Sequence, residues 1–316
     1  MILVTGANGF VGQAVVKELF YSDRPVRACV RRNEPTFPVG VEQSSVLKLE
    51  EVLDWEGLLC GVDIVVHAAG MAHNVDGDDN YQNYYNANVL ATINLANSAS
   101  LGGVKRFVYI SSVKVFGEYT KEGSKFRIQD LAMPHNSYAK SKRQAEIELL
   151  KISQKSDMEV VIIRPPLIYG PNVKANFLSL FKWVEKGFPV PSALKNAKRS
   201  FISLANLVDF ILVSIEAPKA ANQIFLVSDD SDLSTWDLIL TIGKYMGRTC
   251  RTIPLPAVVL RIILYLIGKK GMATRLLSSL QVDISETKRQ LGWSPKFRLE
   301  EGIDEVVRAY KDDLSR

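Results

Sequence analysis

Tyr138 and Lys142 stand four residues apart in NSYAKSK, at the head of the helical pattern QAEIELLK. On a helix that spacing places both side chains on one face. A free tyrosine titrates near about 10 and a neighbouring ammonium group lowers that value, so Tyr138 reads as a proton donor or acceptor with Lys142 as its electrostatic helper. Ser111 and Ser112 follow the apolar run of RFVYIS. A hydroxyl at the carboxyl end of such a strand can hydrogen-bond the oxygen that Tyr138 protonates. A second constellation is Gly6, Gly9 and Gly12 in GANGFVG, set between the strand-like MILVT and a helical pattern through Val15, Val16 and Leu19. Glycines in that context let the backbone turn tightly and approach a pyrophosphate seated on the helix N-terminus. A third stretch, VRACVRRN, closes the next apolar run. Dinucleotide sites that take NAD usually carry a carboxylate there, yet Val30 lies eighteen residues beyond Gly12 and is followed by Arg31 and Arg32. A guanidinium at that strand end pairs with a 2′-phosphate, so NADP(H) is the expected cofactor; if the arginines only cap a surface strand, NAD(H) takes its place.

These residues need a sheet to hold them. Apolar runs recur at 26–30, 45–49, 62–69, 106–111 and 158–164, mostly separated by segments long enough for crossover helices. The alternation predicts an α/β fold, a Rossmann-like doubly wound parallel sheet, with a smaller and mostly helical C-terminal lobe. The expected division is 1–170 for the dinucleotide and 171–316 for the substrate, with 200–228 returning to the first domain. A formal charge of +5 over 316 residues, scattered along the chain, excludes nucleic acid as an expected partner. Cys29, Cys60 and Cys250 have neither disulfide nor metal-ligand spacing, so no metal is expected. No secretory signal is legible before the first strand, and the expected compartment is the cytoplasm. The segment LPAVVLRIILYLIG, 255–268, is apolar on almost every side and too short to span a bilayer. It reads either as a helix resting on a membrane, aided by Lys269 and Lys270, or as a buried helix of the smaller lobe; all-round apolarity makes burial the expectation.

Together the motifs resemble the extended short-chain dehydrogenase/reductases, in particular the nucleotide-sugar epimerases, dehydratases and reductases. The resemblance runs nearly end to end through TGANGFVG, VDIVVHAAG, NANVLATINL, YISSVKVFG, the Tyr138/Lys142 pair, RPPLIYGP and LGWSPKFRLEEGI. It implies a UDP-sugar substrate and chemistry at C4, with Ser112, Tyr138 and Lys142 catalytic. Carried over residue by residue, it places Phe10, Leu49, Ala68, Ala69, Gly70, Asn88 and Pro165 around the cofactor. It assigns Asn176, Phe177, Val190, Arg199 and Arg275 to the UDP moiety. In many relatives the helices containing 78–102 and 135–154 pair two subunits, which implies a homodimer.

Dehydratases of the group carry an Asp-Glu pair where this chain has Val113 and Lys114, so elimination of water is not expected. Combined with Arg31, the resemblance points to an NADPH-dependent reductase of a UDP-linked 4-keto hexosamine in surface-polysaccharide precursor synthesis. The alternative is a UDP-glucose or UDP-N-acetylglucosamine 4-epimerase that keeps one NAD bound. A hydroxysteroid-dehydrogenase-like enzyme and a non-catalytic cofactor-binding protein are weaker readings, opposed by KANF with FPVP and by the complete Ser-Tyr-Lys set.

Overall fold

The computed structural model describes residues 1–31, 37–46, 48–51, 55–72, 80–173, 176–266, 268 and 270–314. Six strands, β1 (Ile2–Thr5), β2 (Val26–Val30), β3 (Glu42–Ser45), β4 (Ile64–His67), β5 (Arg106–Ile110) and β6 (Glu159–Arg164), build a parallel sheet with the short strand Ile224–Leu226. The order across its seven strands is Ile224–Leu226, β6, β5, β4, β1, β2, β3. ILVT, RFVYI and VVIIR are buried throughout because helices cover both faces, which is why they read as continuous apolar runs. The chain works outward from β1 to β3, then returns to the other side of β1 as β4. A crevice opens where that order reverses, at the carboxyl ends of β1 and β4.

The third strand corrects the sequence reading. SVLKL was expected to be extended over 45–49, but β3 is Glu42–Ser45 and a tight turn starts at Leu49. Among the described residues its strand neighbour is β2, whose last residue, Val30, pairs with Ser45 and accepts from Val46 N at 2.7 Å, which ends the ladder.

One face of the sheet packs on α1 (Phe10–Tyr21) and the helix Leu204–Glu216, through Val15, Leu19, Phe210 and Ile211. The other packs on the helices Ala91–Leu101 and Ser137–Ser153, through Leu95, Ala99, Ala145 and Leu149. A third core joins Tyr169, Phe177, Phe181 and Val190 to Trp236, Ile239, Ile303 and Val307 of the later helices.

The apolar segment beyond 255 is not buried, contrary to expectation. It forms the helix Ala257–Leu266, in which Leu264 alone is fully buried; Val258 is 69% exposed and Leu266 78%. The helix lies at the rim of the third core, so one side reaches the protein and, among the described residues, the remainder is left uncovered. No helix among the described residues is long and apolar enough to cross a membrane.

In the second core the His67 ring links three elements. Thr5 Oγ1 lies 2.6 Å from Nδ1, and Nε2 lies 2.9 Å from Thr92 Oγ1, which itself donates to the Asn88 carbonyl at 2.7 Å. Because the Thr92 proton is committed to Asn88, its oxygen accepts from Nε2–H, and Nδ1 accepts from Thr5. Burial, helped by the Lys142 charge, pushes His67 down to about 3. Stability contributed by the neutral ring is therefore present above the unfolded value near about 6.5 and is lost as pH falls toward about 3, at up to about 1.4 kcal/mol per pH unit. Chemical denaturation between pH 7 and 4 is expected to show wild type losing stability more steeply than His67→Gln, which cannot titrate. Parallel slopes for the two proteins would contradict this reading.

Candidate active site

The glycine turn is built for close approach. Gly6 has φ +64°, and a Cβ there would lie 2.7 Å from the backbone of Ala69. One at Gly12 would lie 2.2 Å from the Gly6 carbonyl oxygen. The turn thus brings β1 against the end of β4, with Ala68 and Ala69 partly open and Gly70 exposed. Gly9 caps α1 without a side-chain bond, and the first turn holds no acid, leaving its N–H groups and positive dipole end toward the crevice. Phe10 reaches toward Gly170, whose Cβ would come within 3.5 Å of its ring.

The helix Ser137–Ser153 carries the proton-transfer pair. Asn136 caps it by accepting from Ala139 N at 2.8 Å, while its amide donates to Glu118 at 2.7 Å. Lys142 is 5% exposed and Nζ donates to the Ile110 carbonyl at 2.9 Å, 4.7 Å from the centre of the Tyr109 ring. A Cβ on Gly70 would come within 3.2 Å of the same Nζ. Asn88 binds the Met71 backbone on both sides, at 2.7 and 3.0 Å, and donates to Ser141 Oγ at 2.9 Å. Gly70, Asn88 and Lys142 thus meet at one point beside the crevice. Ser112, 9% exposed, stands beside Tyr138, and Pro165 behind it accepts from Val113 N at 3.0 Å.

The electrostatics differ from the sequence expectation in one respect. Tyr138 was expected to be lowered by Lys142; burial instead pushes the phenol up to about 12, opposed by the hydrogen bond from Ser112. The physical reason is where the ammonium points, onto the Ile110 carbonyl and the Tyr109 ring. Burial also brings Lys142 down to about 8, with Glu146 acting against that fall.

Arg199 and Arg275, far apart in sequence, come together. Arg199 donates to the carbonyls of Arg275 and Ser278 at 2.9 and 3.0 Å. Burial and the Arg275 charge lower Arg199 to about 10, with Glu118 opposing. Lys114 joins them: its ammonium lies 6.0 Å from the centre of the Tyr138 ring and is lowered by burial and by both arginines, Glu118 again opposing. Three cations gather around one carboxylate, with Lys114 beside Tyr138, an arrangement that suits a multiply charged anion. The remaining candidates lie elsewhere. Phe177 stacks on Tyr169 at 5.5 Å and, like Val190, has its side chain in the third core. The side chain of Asn176 lies outside the described residues. Leu49 packs against the second core and Arg31 is exposed at the end of β2; Arg32 lies outside the described residues.

Two features escaped the sequence reading. Lys114 was noted for what it replaces and not for its charge. Glu146, fully buried, accepts from Arg164 in a two-pronged pair at 2.9 and 2.7 Å, from Ser111 Oγ at 2.6 Å and from Arg143 at 3.1 Å. The signal lay in the spacing, since Glu146 is one helical turn beyond Lys142 on the same face.

A model of the NAD dependent epimerase/dehydratase family matches residues 2–228. A UDP-glucose 4-epimerase of Vibrio cholerae is 40% identical over 316 residues, covering 98% of this chain and 95% of the relative. An N-acetyl-alpha-D-glucosaminyl-diphospho-ditrans,octacis-undecaprenol 4-epimerase of Escherichia coli O157:H7 is 27% identical, covering 99% and 98%. Among solved structures, a UDP-glucose 4-epimerase from Thermotoga maritima with UDP-glucose superposes with a TM-score of 0.82 at 19% identity, covering 99% of both chains. MoeE5 in complex with UDP-glucose and NAD gives 0.79 at 22% identity, again over 99% of both. At these identities the two structures speak for the fold.

Glu146→Gln leaves the Arg164 charge buried without a counter-charge, a loss of about 3–5 kcal/mol. Urea denaturation is expected to show it, with part recovered when Arg164→Met is added. A single variant within about 0.5 kcal/mol of wild type would mean that the pair carries no such weight.

Proposed function

Since this enzyme belongs to the NAD dependent epimerase/dehydratase family, matched over residues 2–228, we propose that it is a 4-epimerase of a UDP-hexose or UDP-N-acetylhexosamine working with bound NAD. One observation carries the reading: Ser112 beside Tyr138 and a buried Lys142 lie close to three converging cations, in a chain 40% identical to a UDP-glucose 4-epimerase across 98% of its length. The residues fit the cofactor. Cβ atoms at Gly6 or Gly12 would fill the cradle, and the uncapped start of α1 suits a pyrophosphate. Bound nicotinamide supplies a hydride acceptor and donor at the sugar C4.

The chain's own residues do the rest. Tyr138 takes the proton of the C4 hydroxyl as the 4-keto sugar forms and returns it afterwards, while Ser112 holds the oxygen. Lys142, charged below about 8, stands on the cofactor side of the crevice with its ammonium toward Gly70. Arg199, Arg275 and Lys114 hold the diphosphate. Residues 1–170, with 200–228 added, form the dinucleotide-binding part and the rest of 171–316 the sugar-nucleotide part.

The purified enzyme is expected to interconvert UDP-glucose and UDP-galactose, or their N-acetyl counterparts, without added cofactor, and to release NAD on denaturation. Tyr138→Phe should keep the fold and the nucleotide while turnover falls by about 10²-fold or more. No conversion of either pair, or full activity in the variant, would overturn the proposal.

A second reading is kept by one observation. Val30 is buried where NAD sites usually place a carboxylate, and Arg31 stands exposed beside it, which suits NADPH and a 4-keto reductase. Under that reading Arg31→Ala weakens NADPH by about 1.5–3 kcal/mol and leaves NADH unchanged. Fluorescence titration distinguishes the two, and equal losses would remove the reading.

A further inference from the structure

The helix Ala257–Leu266 presents Val258, Val259, Ile262, Ile263 and Leu266 to solvent around Arg261. Exposed apolar side chains also stand at a turn beside Arg251–Ile253, the segment that leads into the helix. Phe188, 47% exposed, projects from the Gly187–Pro189 segment, which lies beside Arg251–Ile253, and its ring packs edge-on against the partly exposed Trp183 at 5.3 Å. Isolated exposed apolar residues are ordinary, but a helix bare on most of its circumference marks a surface that meets something.

Charge identifies the occupant. Residues 238–282 contain no Asp or Glu, whereas seven Lys and Arg fall among them, including Arg248, Arg251, Arg261 and Arg275. Arg248, Arg251 and Arg261 are exposed. The described acids nearest in sequence, Asp237 and Asp283, lie outside the stretch; Asp237 accepts from Ser234 at 2.6 Å and Asp283 pairs with Arg127 at 3.3 Å. A second copy of the same face would bring the cations of 238–282 against one another, with no carboxylate of that stretch to receive them. A sheet of anionic headgroups over an apolar interior complements both halves of the surface at once: the apolar side chains enter the acyl boundary, and the arginines remain among the phosphates. Trp183 and Phe188 supply the aromatic rings that favour this boundary. The helix is ten residues long, which suits lying in the plane and excludes spanning.

We propose that the Ala257–Leu266 face is a docking surface for an anionic phospholipid bilayer, holding the enzyme at a membrane without crossing it. The proposal does not rest on the assigned reaction, and its test needs no turnover. The full-length protein is mixed with extruded vesicles of phosphatidylcholine containing about one-third phosphatidylglycerol, or of phosphatidylcholine alone, and sedimented. The expected result is sedimentation with the anionic vesicles, weakened by added salt and by the neutral lipid. The double variant Ile262→Glu/Leu266→Glu, at two exposed positions, should reduce partitioning roughly tenfold or more with an unchanged thermal transition. Wild type that stays in the supernatant with anionic vesicles overturns the proposal. So does undiminished binding by the double variant. A wild-type dimer that the double variant dissociates, with no vesicle binding by either, assigns the face to a second copy and overturns it equally.

Discussion

A carboxylate with no access to water must be met by charge, and Glu146 is met by Arg164, Arg143 and Ser111. Its position makes the pair consequential. Glu146 belongs to the helix of Tyr138 and Lys142, Arg164 ends β6, and Ser111 directly follows β5. The buried pair therefore fixes the proton-transfer helix against the carboxyl ends of two adjacent strands, where Ser112 and Pro165 also lie. A geometry accurate enough for proton transfer needs such support, because a shift of about 1 Å in a catalytic group costs rate steeply. The pair adds specificity of placement more than net stability, since replacing a buried ion pair with apolar groups is often neutral.

The same constraint shapes the electrostatics. Lys142 is too buried to be solvated and donates to Ile110, with Glu146 one helical turn away keeping its charge from falling further. Asn88 holds the neighbouring wall by binding Met71 and Ser141, and the Thr92–His67–Thr5 relay continues that wall into β1. Burial keeps His67 neutral, and the Lys142 charge lowers it further. On the far side of Tyr138 the polarity reverses. Lys114, Arg199 and Arg275 crowd together with Glu118 as their shared counter-charge, an arrangement that suits an anionic ligand.

The sequence revealed what is local. Glycine spacing, the period-four Tyr/Lys pair and the apolar strand runs report short-range geometry, and all but the run at 45–49 stand in the fold where their pattern placed them. Three features depended on distant contacts. Glu146 sits in an amphipathic stretch where glutamate is ordinarily solvated, and only the end of β6 reveals its partner. Arg199 and Arg275 meet because the Lys198–Arg199 strand lies beside the Leu280 bridge, which residue spacing does not encode. Ala257–Leu266 shows the limit of apolarity as a guide to burial: the composition of a core helix is also that of a surface helix awaiting a partner.

The proposed 4-epimerase removes hydrogen from C4 of the sugar and returns it to the other face without releasing it. UDP-glucose deuterated at C4, incubated with the purified enzyme and unlabelled NAD and NADPH in the buffer, tests this directly when the products are analysed by mass spectrometry. The account predicts UDP-galactose, or the N-acetyl product from the corresponding substrate, carrying its full deuterium content, with none in the free nucleotides. Product depleted of deuterium, or label accumulating in the free cofactor pool, would contradict it.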